Sequence, residues 1–218
     1  MKLSAAVPIA IVALTAVGCS SGGGSAGSTP ASVPTTQASS PSSAPATTAK
    51  PSTSPPSPIA TESNPPGDIP DNQAFVSFSP PAGGFTVKVP EGWARSTTGA
   101  ATSFSDKLNR IQVQATTTAT PLTAQTIDSQ LVPKLRQQVP RFAMGKVSEV
   151  TRAAGRAILV TYQGDSSQDP VTGKVIRDAF ELYLFHQGGR ELALTLSGPT
   201  NADNVDPWKI VSDSVRWR

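Results

Sequence analysis

Cysteine and histidine each occur once in the 218 residues, and no aromatic residue precedes Phe75. A single cysteine, Cys19, cannot close an internal disulfide, and it cannot supply the paired thiolates of a cysteine-type zinc site. A single histidine, His186, excludes any H-E-x-x-H metal motif, which needs two imidazoles one helical turn apart. Phosphate-cradling signatures are missing as well: Gly22-Gly23-Gly24 sits in a long polar stretch rather than between a strand and a helix. The net charge is only +3, and after Gly67 sixteen Lys/Arg face fourteen Asp/Glu with no basic run. That balance gives nucleic acid no electrostatic footprint to bind. Composition therefore excludes several chemistries and names no cofactor.

The lone cysteine is informative because of where it stands. Lys2 is followed by the apolar run Leu3 to Val17, broken by Pro8, and then by Gly18-Cys19-Ser20. One cation, about fifteen apolar residues and a small-residue exit have the layout of a secretory signal, whereas a spanning helix needs about 20. Ala16-Val17-Gly18-Cys19 resembles a bacterial lipobox in its looser form, with Ala16 where the usual pattern has Leu. The resemblance implies removal of residues 1–18 and lipidation of Cys19, placing the protein outside the cell on the outer face of the cytoplasmic membrane. Several acyl chains on one residue give the stable anchoring that a single chain does not.

From Ser20 to Gly67 the sequence is dominated by Ser, Thr, Pro, Ala and Gly, with Lys50 and Glu62 its only charges. Such a stretch has too little apolar surface to offset the entropy of ordering it. The expectation is a disordered tether over 19–70, about 40 Å long as a coil and up to about 150 Å extended. All twelve aromatics fall between Phe75 and Trp217. The expected globular domain is 71–218, near the usual domain size.

Within it, Phe85, Val87 and Val89 alternate with polar residues until Pro90-Glu91-Gly92 turns the chain. Ile111, Val113 and Ala115 mark a second strand with Ser103–Lys107 as its hairpin partner. Further strands are expected over Lys146–Thr151, around Ile158, Val160 and Tyr162, from Val175 through Leu184, and over Leu192–Leu196. Gly188-Gly189 has the composition of a two-residue hairpin turn, which needs positive φ at both positions. One helix is expected from Thr123, as N-cap, to Gln138, with Pro133 an obstacle in its interior. A second is expected from Asp206 as N-cap with Pro207 at its first position. The fold class is α+β: an antiparallel sheet of about six strands flanked by helices.

The stretch Phe85 to Trp93, with the closing Asp206-Pro207-Trp208 and Ser214-Val215-Arg216-Trp217, resembles PsbP/Mog1-like domains. Together with the lipidated leader and Ser/Thr/Pro stalk it is similar to actinobacterial LpqN/LpqT-type lipoproteins. The resemblance implies an α-β-α sandwich that binds or assists assembly in the envelope without catalysis, its ligand an envelope lipid, glycan or protein.

Candidate chemistry is sparse. His186 shares a strand face with Phe180, Leu182 and Leu184, and an envelope hydrolase would need it near a nucleophile such as Ser197 on the next strand. No serine has the G-x-S-x-G setting. Asp165 and Asp169 could lend oxygens to Ca²⁺, although the ligand density of a calcium loop is missing. Asp178 and Glu181, three apart in a strand, point to opposite faces and make no carboxylate pair. Asp203 and Asp206 fit a helix start. The remaining candidate is an apolar pocket near Trp93 or Trp208, with Trp217 a third ring and the Pro133 helix as its movable wall; the alternative, which their positions at element ends favour, is that the three rings are core. Three readings stay open: a non-catalytic tethered binding module, a hydrolase using His186, and a passive surface protein. The anchor is testable by itself: Cys19→Ala is expected to move the exported protein into the aqueous phase of a detergent partition, and unchanged partitioning would make the leader the anchor.

Overall fold

A computed structural model describes residues 65–81, 84–168 and 173–218; Cys19, the leader, most of the tether and Asp169 lie outside them. The strands are β1 (Phe75–Phe78), β2 (Phe85–Pro90), β3 (Ala94–Thr98), β4 (Ala101–Asp106), β5 (Asn109–Thr117), β6 (Ala143–Arg152), β7 (Gly155–Asp165), β8 (Arg177–Gln187), β9 (Arg190–Pro199) and β10 (Arg216–Trp217). Helices α1 (Ala124–Thr126) and α2 (Val132–Gln138) are joined by a π turn, Ile127–Leu131, and α3 is Val205–Asp213. Seven strands form one antiparallel sheet in the order β3-β4-β5-β9-β8-β7-β6, and β1-β2-β10 form a second.

The period-2 patterns put one apolar face of the large sheet on each side. On the front, Ile111, Val113, Leu192, Leu194, Leu196, Tyr183 and Phe185 meet Phe85, Val87 and Val89 of the small sheet and Trp208, Val211 and Val215 of the α3 end. On the back, Ile158, Val160, Tyr162, Leu182 and Leu184 receive Ile127, Leu131 and Leu135. The result is three layers: helix, seven-stranded sheet, and a front layer of small sheet plus α3.

Local chemistry accounts for most of the elements. Thr123 caps α1 and exchanges hydrogen bonds with Thr126 in a capping box. Pro133 does not break the helix. The turn before it widens, so that Val132 N–H reaches Ile127 O five residues back, and the proline falls at the start of α2, where its missing N–H costs little. Gly188 and Gly189 take φ of 59° and 73°, the hairpin turn their composition implies.

Other expectations are corrected. Strands β1, β3 and β10 were not expected, and the expected Phe85–Val89 strand, β2, belongs to a second, three-stranded sheet instead of a single sheet of about six. Val175 and Ile176 precede β8 instead of joining it, and Val175 is exposed. The N-cap of α3 is Asn204, with Asp206 and Pro207 already inside the first turn.

Asn204 is displaced from ordinary capping because its side chain is used elsewhere. Its Oδ1 accepts from Ile69 N–H at 2.8 Å. Its Nδ2 donates to Gly67 O at 3.0 Å and to Asn109 Oδ1 at 3.1 Å. Asn109 Nδ2 donates to the same Gly67 carbonyl at 2.7 Å. Both asparagines are at most 5% exposed. They clamp a strap, residues 65–73, across the end of the sheet. Asp68 N–H closes a turn on Pro65 O, and Gly67, at φ 101°, sits against the Pro199 ring where no side chain fits. Ile69 drops into the core. The folded unit thus takes in residues 65–70, which composition had assigned to the tether. Asn204→Ala strands the Ile69 donor and part of the Gly67 acceptor, and is expected to cost about 2–4 kcal/mol in chemical denaturation. A loss under about 0.5 kcal/mol would mean that the clamp is not structural.

Candidate functional site

The strap forms one wall of an open cleft of about 310 Å³. Pro65, Pro66, Asp68, Ile69, Pro70 and Gln73 line one side, and Asp106, Lys107 and Asn109 of the β4–β5 hairpin line the other. Trp93 completes it. This ring follows the Pro90–Gly92 turn that ends β2, is half-buried, and packs its inner side against the front core.

Several polar groups at the cleft are already engaged. Gln73 Nε2 donates to Ala74 O at 2.8 Å and Glu91 O at 3.1 Å. Asp68 Oδ1 accepts from Asp203 N–H at 2.9 Å, and the Asn109 amide is held in the clamp. Asp106 and Lys107 stand at the rim with side chains 50% and 82% exposed, 3.9 Å apart. At that exposure their attraction is screened, so both remain available to a ligand. The cleft combines an indole, proline rings, a carboxylate and an ammonium.

The three tryptophans do not share this site. Trp208 is 8% exposed on α3, inside the front core, and does not line the cleft. Trp217 lies on β10 with the Arg190 guanidinium 5.4 Å over its ring. The Pro133 helix covers the back of the sheet, so it cannot wall a pocket at Trp93 or Trp208 on the front. The expected sheet–helix pocket is replaced by a rim cleft at Trp93 alone. A second cleft of about 340 Å³ lies between α3 and β2, lined by Lys88, Ile210, Asp213 and Arg216 among others.

His186 Nε2 lies 3.1 Å from Thr118 O, and the residue is paired with Glu191 across β8–β9. Ser197 is paired with Phe180, six positions further along the same ladder. At about 3.3 Å per residue the two are some 20 Å apart, so Ser197 is not the nucleophile of His186. Asp165 is engaged by arginines rather than poised for calcium. Arg141 donates to both its oxygens at 2.6 and 2.7 Å, and these hydrogen bonds hold its carboxyl below the usual range. Glu181 accepts from Tyr183 OH at 2.8 Å on the front face. Among the described residues no group of three or more His, Cys, Asp or Glu converges on one point.

Asp178 lies on the opposite face of β8 from Glu181, and nothing in the sequence marks its state. It is 6% exposed, its Oδ1 has no hydrogen-bond partner among the described residues, and burial raises its carboxyl to about 6 against the pull of Arg110. Asn109, Asn204, Asp106 and Lys107 were not anticipated at the site. The Pro66-Gly67 turn signal was the one local hint that the chain folds back before residue 71.

No family model matches the chain, and no curated relative does. Among solved structures, the cyanobacterial PsbP (CyanoP) of Synechocystis is similar over 70% of this chain and 98% of its own, at 13% identity and a TM-score of 0.48. LpqN of Mycobacterium tuberculosis is similar over 67% and 92%, at 13% identity and 0.39. The Ran-binding protein Mog1p of Saccharomyces cerevisiae is similar over 60% and 79%, at 8% identity and 0.43. The chain spans 48% of the length of a Bacteroides thetaiotaomicron structure that it also resembles. These are likenesses to PsbP/Mog1-like proteins in architecture, and they do not extend to activity.

Asp178 supplies a pH test. With a folded-state value near 6, above an unfolded value near 3.9, its protonated form adds stability fully below about pH 4. That contribution is lost as pH rises through about 6. Asp178→Asn is expected to flatten this slope and to raise stability at pH 8 by up to about 3 kcal/mol. A variant no more stable at pH 8, with the slope intact, would show that Asp178 is ionised and satisfied.

Proposed function

We propose that this chain is a non-catalytic binding module tethered to the outer face of the cytoplasmic membrane through Cys19, with the Trp93 cleft as its ligand site. The observation that carries the reading is the half-exposed Trp93 ring in a cleft whose rim holds a carboxylate and an ammonium with no other hydrogen-bonding commitment among the described residues. Ligand sites are concave, with an apolar floor and a few placed polar groups. An acyl chain needs a long apolar tunnel, and the charged rim suits a polar moiety better. The ligand is therefore the polar part of an envelope component, whether carried by a lipid, glycan or protein. The separation of His186 from Ser197 favours binding over hydrolysis. LpqN is described as involved in cell envelope biogenesis; an envelope role here rests on the leader, Cys19 and the cleft.

Tryptophan fluorescence tests this. Solubilised envelope lipid and envelope glycan are each titrated into the protein, with Trp93→Phe as the comparison. The expected result is a shift or quench from one of them that disappears in Trp93→Phe while that variant still melts cooperatively. A response that persists in Trp93→Phe would move the site to Trp217 or elsewhere. No response from either component would favour the passive surface protein. Hydrolysis of an envelope ester, abolished by His186→Ala, would restore the enzyme.

A further inference from the structure

Sheet edges are hazards that proteins blunt with charge, proline, bulges or brevity. In the large sheet, β6 carries Lys146, Glu149 and a register shift between Met144 and Val147. Its other edge, β3, carries Arg95 and is wholly exposed. In the small sheet β10 has only two residues. Strand β1, Phe-Val-Ser-Phe, is short at four residues, but it carries no charge, no proline and no bulge in its pairing with β2. Among the described residues nothing pairs with its outer side, and Val76 there is 43% exposed.

The register shows which backbone groups that edge presents. Glu91 N–H donates to Ala74 O, so the opposed pair Ala74–Glu91 is hydrogen-bonded. Alternation then makes Val76–Val89 and Phe78–Val87 the bonded pairs of β1 and β2. Two facts agree. Lys88 N–H, at an unbonded position, turns away from β1 to Ser214 Oγ at 2.7 Å. Pro90, which has no N–H, also falls at an unbonded position. It follows that Phe75 and Ser77 direct their N–H and C=O groups outward.

An antiparallel partner must present bonding groups at the same spacing, and a second β1 does so. Centred on Val76, two copies place Phe75 opposite Ser77 of the other at both ends. Each such pair closes reciprocal bonds, about four in all. Val76 meets its own counterpart at the close, unbonded position, where exposed apolar surface on each copy is covered. Lys88 lies one strand inward, so the two lysines stay about 14 Å apart, beyond the screening length. We infer that β1 is a self-association edge, through which two copies of this chain join their small sheets about a two-fold axis into one six-stranded sheet. The contact is isologous and closes on itself. Four residues a side is well below a standard interface, so the pairing is weak in dilute solution and strengthened wherever chains are confined together.

Cysteine cross-linking tests it directly. Opposed residues at an unbonded antiparallel position have Cα atoms about 4.5 Å apart, within disulfide range. The full chain carrying Cys19→Ser and Val76→Cys is oxidised in detergent solution beside Cys19→Ser with Val205→Cys. Val205 is a comparably apolar site, 69% exposed on α3. The Val76→Cys chain is expected to form covalent dimer at least tenfold faster. Adding Ser77→Pro removes an outward N–H that β2 does not use, which an edge strand tolerates. It is expected to abolish the advantage while leaving a cooperative melt. Equal rates for the Val76→Cys and Val205→Cys chains would overturn the inference, leaving the edge to a strand from another protein. Dimer formation that survives Ser77→Pro in a folded chain would overturn it too, since the copies would then meet by another surface.

Discussion

Two buried asparagines hold this structure together at the place where its parts converge. Asn109 starts β5 and Asn204 precedes α3, and their side chains meet each other and share one carbonyl, that of Gly67. Apolar residues in these positions would leave the strap's peptide groups without partners in a dry environment. Three backbone features serve the same contact. Gly198 has no side chain where one would collide with Asn109 Oδ1, Gly67 adopts a φ that only glycine takes easily, and Pro199 packs on it. The clamp binds the chain from Gly67 onward, within the stretch that composition assigned to a tether. It also builds the cleft, because one of the cleft's walls is the strap itself.

What could be read from the sequence depended on whether the relevant interaction was local. Strands with a buried face announce themselves by alternation, as in Phe85–Val89 and Ile111–Ala115, and a Gly-Gly pair between two such runs fixes a hairpin. Thr123 as a cap is likewise a local matter. Strand β3, Ala-Arg-Ser-Thr-Thr, is exposed at every residue and has no alternation to detect. Strand β1 is too short to show a period. The start of α3 was misplaced by local capping logic, because the asparagine before it serves a partner 135 residues away. Trp93 stands out in the sequence as a large ring at a turn, which fits a core position as well as a pocket. Its neighbours Asp106, Lys107 and the strap come together only through sheet order, which one sequence's periodicity does not report.

The acidic residues show how environment outranks identity. Asp165 and Asp178 sit near each other at the β7–β8 end of the sheet, and both looked like ordinary loop or strand carboxylates. Asp165 is gripped by Arg141 and pushed toward ionisation, whereas Asp178 is buried with no partner for Oδ1 among the described residues and is pushed toward neutrality. Neither state favours metal chemistry. At the cleft rim, by contrast, Asp106 and Lys107 are exposed.

All of this depends on the strap being part of the fold and not the last stretch of a loose tether. Amide hydrogen exchange at Ile69 decides the point, because among the described residues its N–H is bonded by the Asn204 side chain alone and sits beside the core. The structure predicts that this amide exchanges in the slow class, with protection approaching that of Leu194 at the sheet centre. Exchange of Ile69 at the rate of an open chain, with Leu194 still protected, would contradict the clamp, and with it the cleft and the site at Trp93.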